Sequence, residues 1–326
     1  MDVFYDIPAN PRPAGARGDF FLSKDGKRLR YAIFPAEARP LKGTVVLIQG
    51  RNECIEKYFE TAIDLSRRGF ATATFDLRGQ GGSDRLIKDG QRGYVKSFDD
   101  YARDLRTFFD DIVLPDCRGP YYIMAHSGGA LIALLTAPYL VNRVQRMVLL
   151  APLLQIAITR LQMRTVKRVT STLSLFGLGR RYIGGGPRPA VPLAFEGNKL
   201  SSDPDRFRRN IEIYLAYPQL ALGGPTVSWV AAAARAVEKV TDPGFMSALR
   251  IPMLFVNPTA DRVVDPSKIE AYATSLRLGS LVTIYGARHE LLQEADIYRE
   301  QVLAAFDAFV PGSETMHILQ ADPVEG

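Results

Sequence analysis

The sequence predicts an α/β protein, built on a mostly parallel sheet of about eight strands with helices on both faces and an inserted helical cap. Two observations support this class. Continuous apolar runs of strand length alternate with helical patterns in the first half of the chain and again in its last quarter. Between Pro152 and Leu249 the alternation stops and the pattern is helix-like. A parallel sheet interrupted by an insertion explains both features.

The first predicted element is a hairpin, because alternating residues at 20–24 and 27–34 flank Asp25-Gly26, a pair typical of a two-residue turn. Apolar runs then predict strands over 44–48, 70–75, 121–124, 146–150, 252–256 and 281–285. The helical patterns between them cover 55–68, 98–112, 129–140, 266–276 and 297–309. Strands that are apolar throughout indicate a sheet buried on both faces.

The chain length fits one core domain with an insertion better than two full domains. We expect residues 1–152 and 247–312 to form the core around the sheet, and residues 153–246 to form the helical cap (lid). Glycine- and proline-rich stretches at 184–189 and 223–225 interrupt this cap segment. Residues 313–326 are expected to form a flexible C-terminal tail.

The placement of charge suggests contact with anionic partners. The net charge is +6, and residues 117–195 contain many basic residues but no Asp or Glu. On a helix over 156–170, Arg160, Arg164, Lys167 and Arg168 share one face, opposite an apolar face. Such a helix can bind an anionic membrane or guide a phosphate-bearing substrate. A cap helix with solvated charges is an equally good explanation.

The first residues lack the basic and apolar segments of a signal peptide, and no apolar run is long enough to span a bilayer. We therefore expect a cytoplasmic protein, with peripheral contact at a membrane surface left open. Cys54 and Cys117 are expected to be small buried hydrophobes, because neither lies in a nucleophile motif and two cysteines give no disulfide framework.

Ser127 is the predicted nucleophile. The strand over 121–124 runs into Ala125-His126-Ser127-Gly128-Gly129 and then into a helix, which is the context of a nucleophile elbow. Small residues two positions before and after the serine allow it to occupy a strained turn. The start of the following helix also favours negative charge that develops there. An ordinary serine in a turn is the alternative.

A serine nucleophile needs a base, and the chain has only three histidines. His126 is adjacent to the serine on the turn and is expected to point away from it, and His317 lies in the tail. His289 follows the last predicted strand, at the edge where a parallel sheet places its active site. We therefore predict His289 as the general base, with a surface-loop histidine as the alternative.

Asp261 is the predicted acid that orients His289. It follows the strand over 252–256 after a short loop, and the chain order Ser, Asp, His is the one found in hydrolases with a nucleophile elbow. Asp265 is the rival. Its position directly before Pro266 predicts a different task, that of a helix N-cap.

Backbone N–H groups are expected to bind the oxyanion. Gly128 follows the nucleophile, and Arg51 lies in the loop after the strand that ends at Gln49-Gly50. A simple turn at Gly50 is the alternative. We expect no cofactor, no metal and no nucleic-acid partner. The spacing of His and Cys does not suit zinc, and the glycine-rich stretch 79–82 lacks the Lys-Ser/Thr of a phosphate loop.

These residues resemble the lysophospholipase and monoacylglycerol lipase branch of the α/β-hydrolases, which also contains serine aminopeptidase-like hydrolases. The similar segments are 49–60, 76–85, 125–129, 260–265 and 286–294, with further likeness in the cap. The resemblance implies a serine carboxylic-ester hydrolase that forms an acyl-enzyme on Ser127 and acts on small-molecule or lipid esters. A peptidase or amidase of the same fold, and a non-catalytic binding homologue, are the alternatives.

The chain departs from that family at two places. The family usually has His-Gly where this chain has Gln49-Gly50, and its elbow is usually G-H-S-M-G where this chain has A-H-S-G-G. The first departure changes how the oxyanion loop is held. The second removes a side chain beside the nucleophile. Neither removes Ser127, Asp261 or His289.

Overall fold

The computed structural model describes residues 3–155, 169–170, 172–173, 176–187 and 194–311. Its strands form one eight-stranded sheet in the order β1-β2-β4-β3-β5-β6-β7-β8. They are β1 (Arg17–Leu22), β2 (Arg28–Phe34), β3 (Gly43–Ile48), β4 (Phe70–Phe75), β5 (Tyr121–His126), β6 (Val144–Leu150), β7 (Met253–Pro258) and β8 (Gly279–Ile284). Only the β1–β2 and β2–β4 pairs are antiparallel. The predicted fold class is therefore confirmed.

Helices connect and cover these strands. They are α1 (Phe59–Arg67), α2 (Phe98–Phe108), α3 (Gly128–Leu140), α4 (Pro204–Ala216), α5 (Val227–Val240), α6 (Pro243–Ala248), α7 (Pro266–Ser275) and α8 (Asp296–Phe309). Short 3₁₀ turns occupy Ile55–Tyr58, Leu178–Arg180, Pro218–Leu220 and Leu291–Gln293. Side-chain caps begin several helices, such as that of Asp203, whose carboxylate accepts from two backbone N–H groups at the start of α4.

Two predicted elements differ from the structure. The hairpin loop is longer than two residues, because Ser23 N–H bonds to Lys27 O and Gly26, at φ 77°, closes a turn onto Ser23 O. The helix predicted over 98–112 leaves α-helical geometry after α2 and continues as a π-helical turn, Phe109–Val113, then a short helix to Asp116. The apolar pattern alone does not reveal such a widened turn.

The core lies on both sides of the parallel part of the sheet. Every residue of β3 and β7 is buried, as expected for strands with helices on both faces. Helix α3 is buried over most of its circumference, and its residues are almost all apolar or small. This helix begins directly after the turn that follows β5. The buried packing of β5 and α3 therefore fixes the position at which α3 begins.

Helices α4, α5 and α6 lie between β6 and β7 in the chain, where the cap was predicted. The proposed division into core and cap stays a prediction, and its boundary at residue 246 falls within α6. The basic helix predicted over 156–170 lies almost wholly outside the described residues, as does the predicted tail. In the part of the chain that the structure describes, no helix has both the length and the apolar character needed to cross a bilayer.

Candidate active site

The turn after β5 holds Ser127 in an unusual backbone conformation. Its φ of 52° and ψ of −114° lie outside the regions that L-residues favour, as expected for a nucleophile elbow. The turn has no space for a side chain at Gly129. A Cβ built there would lie 2.4 Å from the carbonyl oxygens of both Ile48 and Gln49. Close packing of the elbow on the end of β3 therefore requires this glycine.

The loops after β7 and β8 bring an acid and a base to Ser127. His289 Nε2 lies 3.0 Å from Ser127 Oγ, and His289 Nδ1 lies 2.6 Å from Asp261 Oδ2. The other oxygen of Asp261 accepts the backbone N–H groups of Val263 at 2.7 Å and Val264 at 3.0 Å. All three side chains are buried. The structure thus joins the three residues in one hydrogen-bonded chain.

The rival residues have other partners. Asp265 begins α7, and its carboxylate accepts the backbone N–H of Ser267 at 3.0 Å. His126 points away from the serine, toward Glu53 on one side and the backbone of His289 on the other. His317 lies outside the described residues.

The backbone nitrogen of Arg51 lies near Gly128, the residue after the serine. Among the described residues outside the elbow and α3, it is the nearest atom to a Cβ built on Gly128, at 3.9 Å. Within the described chain, neither the Arg51 nor the Gly128 N–H donates to a protein acceptor. The Gly50 N–H, in contrast, donates to the Glu53 carboxylate. The arrangement is compatible with the predicted pair of oxyanion donors.

The two departures from the family pattern have structural consequences. The Gln49 side chain donates to Asp76 Oδ1 at 3.1 Å, and the same oxygen accepts the backbone N–H of Ile55 at 3.0 Å. Gln49 therefore links the end of β3 to the residue that follows β4. At Gly128 the missing side chain leaves space, since among the described residues outside the elbow and α3 only the Arg51 nitrogen lies within 4 Å of the position that a Cβ would occupy.

A buried ionic cluster beneath the serine was not anticipated from the sequence. Glu53 Oε1 lies 3.1 Å from both His126 Nδ1 and Lys57 Nζ, and Glu53 Oε2 accepts from Tyr58 Oη at 2.5 Å. Lys57 also donates to Glu290 at 2.6 Å. The spacing of Glu53 and Lys57, four residues apart before a helix, was the only sequence signal for this cluster.

The charges of this cluster stabilise one another. Burial alone would raise the pKa of Glu53, but Lys57 and His126 lower it well below its usual value. Burial would lower the pKa of His126, but Glu53 raises it. Both ring nitrogens of His126 face acceptors, the Glu53 carboxylate and the His289 carbonyl oxygen. With Glu53 ionised, a ring that carries two protons and a positive charge donates to both acceptors.

The cysteines lie apart from this chemistry. Both are free and buried. Burial raises the pKa of the Cys54 thiol, and it raises that of Cys117 to about 11. A thiol with a raised pKa is a poor nucleophile at neutral pH.

Comparison with known proteins places this geometry in a family. The profile described as "Serine aminopeptidase, S33" matches residues 39–296. Lysophospholipase L2 of Escherichia coli K12 is 33% identical over 299 residues, covering 89% of this chain and 86% of that protein. Monoglyceride lipase of Rattus norvegicus is 25% identical over 75% of this chain and 73% of its own length.

Solved structures share the fold. A soluble variant of monoglyceride lipase from Saccharomyces cerevisiae, in complex with a substrate analog, superposes with a TM-score of 0.73 at 17% identity, covering 95% of this chain and all of that one. These relatives confirm the predicted fold and branch, and they support the predicted class of enzyme, a serine hydrolase acting on esters. The chain belongs to the serine aminopeptidase (S33) family of α/β-hydrolases.

Proposed function

We propose that this protein is a lysophospholipase-like carboxylic-ester hydrolase with Ser127 as nucleophile, His289 as general base and Asp261 as the orienting acid. The observation that carries the proposal is the continuous chain of hydrogen bonds from Asp261 Oδ2 through the His289 ring to Ser127 Oγ, at 2.6 and 3.0 Å. These distances allow proton transfer between the serine and the imidazole. The names of the relatives supply the substrate class.

In the proposed first half-reaction, Ser127 Oγ attacks the ester carbonyl carbon while His289 Nε2 takes its proton. The N–H groups of Arg51 and Gly128 would bind the oxygen that becomes negatively charged. Each such donor is worth about 2.7–4 kcal/mol in the transition state. Asp261 stabilises the imidazolium that forms. Collapse of the tetrahedral intermediate breaks the ester bond, and His289 gives the proton to the departing alcohol.

The second half-reaction repeats these steps with water. His289 removes a proton from a water molecule, which attacks the acyl group on Ser127. The same two N–H groups hold the second oxyanion. The carboxylic acid leaves, and the proton returns to Ser127 Oγ. No step requires a group beyond these side chains and backbone N–H donors.

Labelling and kinetics test the nucleophile. A fluorophosphonate probe should label the wild-type protein on Ser127 and leave Ser127→Ala unlabelled. The same substitution should lower kcat by about 10⁶-fold if the three residues act as a unit. A folded wild-type protein that resists the probe would instead favour a non-catalytic binding homologue.

A substrate panel tests the bond that is cleaved. Lysophospholipids, monoacylglycerols and short p-nitrophenyl esters should be hydrolysed faster than aminoacyl amides by the wild-type protein, with Ser127→Ala as the background. Preference for aminoacyl amides would support the peptidase alternative, which the family description also suggests.

Peripheral membrane contact through the basic cap is a further part of the proposal. It rests on the sequence of the segment 156–170 and on the net charge of +6. Co-sedimentation with anionic vesicles should be strong at low salt, weak at high salt and absent with neutral vesicles. Negligible binding to anionic vesicles at low salt would contradict it.

A further inference from the structure

The Arg51 side chain carries a charge that no carboxylate of the described residues neutralises. Its Nη2 donates to the backbone oxygen of Gly223, and its guanidinium carbon lies 5.6 Å from the centre of the Trp229 ring. In the described part of the chain, no Asp or Glu forms an ion pair with Arg51, and its buried Nε has no hydrogen-bond partner. The guanidinium therefore has hydrogen-bonding capacity that the described residues do not satisfy.

The most deeply buried arginine of the described chain, Arg30, is neutralised. Arg30 is fully buried and pairs with Glu56 and Asp76 at 2.7 and 2.6 Å. Among the described residues, Arg51 has backbone and aromatic partners but no carboxylate, and burial lowers its pKa to about 10. It still carries its charge at neutral pH, and such a desolvated cation gains most from a counter-ion.

The backbone of the same residue lies at the reaction centre. The Arg51 nitrogen is 3.9 Å from a Cβ position on Gly128, beside the proposed nucleophile. The Arg51 side chain leads away from that point toward the segment after α4. A glycine gives it room, because a Cβ on Gly93 would lie 2.7 Å from Arg51 Nη2. Gly93 is thus the residue that allows the guanidinium to occupy this position.

We propose that the Arg51 guanidinium forms an anion subsite that binds the phosphate of an ester substrate while its acyl carbonyl lies at Ser127. This proposal rests on the proposed function and specifies the substrate as a phosphate-bearing ester. The Arg51 backbone keeps its proposed role in binding the oxyanion. The Arg51 side chain gains a separate role, in substrate selection.

The dimensions of the two molecules agree. In a glycerol-based lysophospholipid, a run of covalent bonds through the glycerol links the ester carbonyl carbon to the phosphorus. A run of comparable length links the backbone nitrogen of an arginine to its guanidinium carbon. A carbonyl oxygen held by the Arg51 N–H can therefore place the phosphate near the Arg51 guanidinium. The planar guanidinium matches phosphate oxygens in shape and charge.

Arg85 provides a matched control. Like Arg51, it donates from Nη2 to a backbone oxygen of the segment before α5, that of Gln219, and it has one buried nitrogen without a partner. Burial lowers its pKa, but the Asp76 carboxylate opposes this effect. Its backbone does not take part in the proposed oxyanion site. Arg85→Gln therefore removes a contact between an arginine side chain and the backbone, as Arg51→Gln does, but it leaves the proposed subsite in place.

Tryptophan fluorescence tests binding without catalysis, because Trp229 is the one tryptophan of the chain and its ring faces the Arg51 guanidinium. Titration with glycerol 3-phosphate should change the emission saturably in the wild type and in Arg85→Gln. Arg51→Gln should abolish the response and Arg51→Lys should weaken it. Glycerol and sodium chloride serve as the neutral and ionic-strength controls. A wild type without a saturable response, or an unchanged response in Arg51→Gln, would overturn the proposal.

Substrate selectivity provides the kinetic test. The ratio of kcat/KM for a lysophospholipid to kcat/KM for a monoacylglycerol of the same acyl chain should fall by about 10- to 100-fold in Arg51→Gln, the loss expected for one charge-assisted contact. Arg85→Gln should leave this ratio unchanged. Equal losses on both substrates in Arg51→Gln would show that the side chain only fixes the loop. If the wild type hydrolyses neither ester, the proposed function fails, while the fluorescence titration still decides the subsite.

Discussion

The Nε2 atom of His126 lies 3.0 Å from the backbone carbonyl oxygen of His289, so the residue preceding the proposed nucleophile holds the backbone of the proposed base. The other ring nitrogen contacts Glu53, whose second oxygen accepts the backbone N–H of Gly50. The same charged ring therefore connects the elbow, the oxyanion loop and the loop that carries His289. This arrangement makes the positive charge of His126 part of the framework of the site.

The charge of His126 predicts a loss of stability at alkaline pH. Burial would lower the pKa of His126, but Glu53 raises it above its usual 6.5. A group whose pKa is higher in the folded state than in the unfolded state stabilises the folded protein. This contribution is complete at pH values below the unfolded-state pKa, and it disappears as the pH rises through the folded-state pKa. We expect the free energy of unfolding to fall as the pH rises through the folded-state pKa of His126.

His126→Gln isolates this effect in denaturant unfolding measured between neutral and alkaline pH. The variant should be less stable than the wild type at neutral pH, and the difference should shrink as the pH rises. Parallel stability curves for the two proteins would show that His126 does not carry the charge.

Asp261 and Asp265 form a matched pair for testing the acid. In Asp261→Asn the side chain can still accept from Val263 and Val264, but it no longer stabilises an imidazolium at His289. We expect kcat to fall by about 10⁴-fold with little change in stability. Asp265→Asn retains an N-cap at α7 and should leave kcat within a few-fold of the wild type. Comparable losses in the two variants would contradict the assignment of Asp261.

Local patterns were enough to predict the sheet and the three polar residues at its edge. The strand predicted over 70–75 matches β4 in full, and most other predicted strands and helices lie within a few residues of the observed ones. This success has a physical reason, because buried parallel strands are continuous apolar runs. Ser127 follows such a run directly, and Asp261 and His289 follow theirs after short loops, so the carboxyl edge of the sheet brings them together.

The supporting contacts could not be predicted because they join distant parts of the chain. Lys57 and Glu290 are 233 positions apart and meet only after the sheet has formed. The contact of Arg51 with Gly223 likewise depends on how the segment between β6 and β7 lies over the oxyanion loop. The periodicity of apolar residues indicates which face of a single helix or strand is buried. These contacts depend instead on how several helices, strands and loops pack together.

The two glycines after Ser127 should respond differently to alanine. A Cβ at Gly129 would lie 2.4 Å from two carbonyl oxygens of the β3 end, so Gly129→Ala must displace the elbow. We expect it to lower the free energy of unfolding by about 1–3 kcal/mol, as overpacked cores do, and to lower kcat. A Cβ at Gly128 would have as its nearest described neighbour, outside the elbow and the helix itself, the Arg51 nitrogen at 3.9 Å. Gly128→Ala should be neutral or stabilising by up to about 1 kcal/mol, since alanine favours the first turn of a helix.

Thermal and denaturant unfolding of the two variants, with kinetics on a p-nitrophenyl ester, would measure this difference. The reverse order of stabilities would show that the elbow packs differently from the described geometry.

Glu60 should give the protein acid-sensitive stability. It lies in α1 and bonds to Arg206 of α4 at 2.6 Å and to Arg209 at 2.8 Å. Burial would raise the pKa of Glu60, but Arg206, Arg299 and Arg209 lower it from 4.5 to about 2. A group whose pKa is lower in the folded state than in the unfolded state stabilises the folded protein at pH values above its unfolded-state pKa. This contribution is lost as the pH falls through the folded-state pKa. Because the side chain is partly exposed, we expect Glu60 to contribute about 1–3 kcal/mol to the free energy of unfolding at neutral pH.

Glu60→Gln should therefore be less stable than the wild type at neutral pH, and the two unfolding free energies should converge as the pH falls from about 4.5 toward 2. Glu212→Gln is the control, because Glu212 lies on the same helix as Arg206, and its ion pair among the described residues is an exposed one with Arg208 at 3.9 Å. Such a pair contributes about 0–1 kcal/mol, so this variant should match the wild type at every pH. A pH-independent difference between Glu60→Gln and the wild type would mean that Glu60 stabilises the contact between α1 and α4 by packing rather than by its charge.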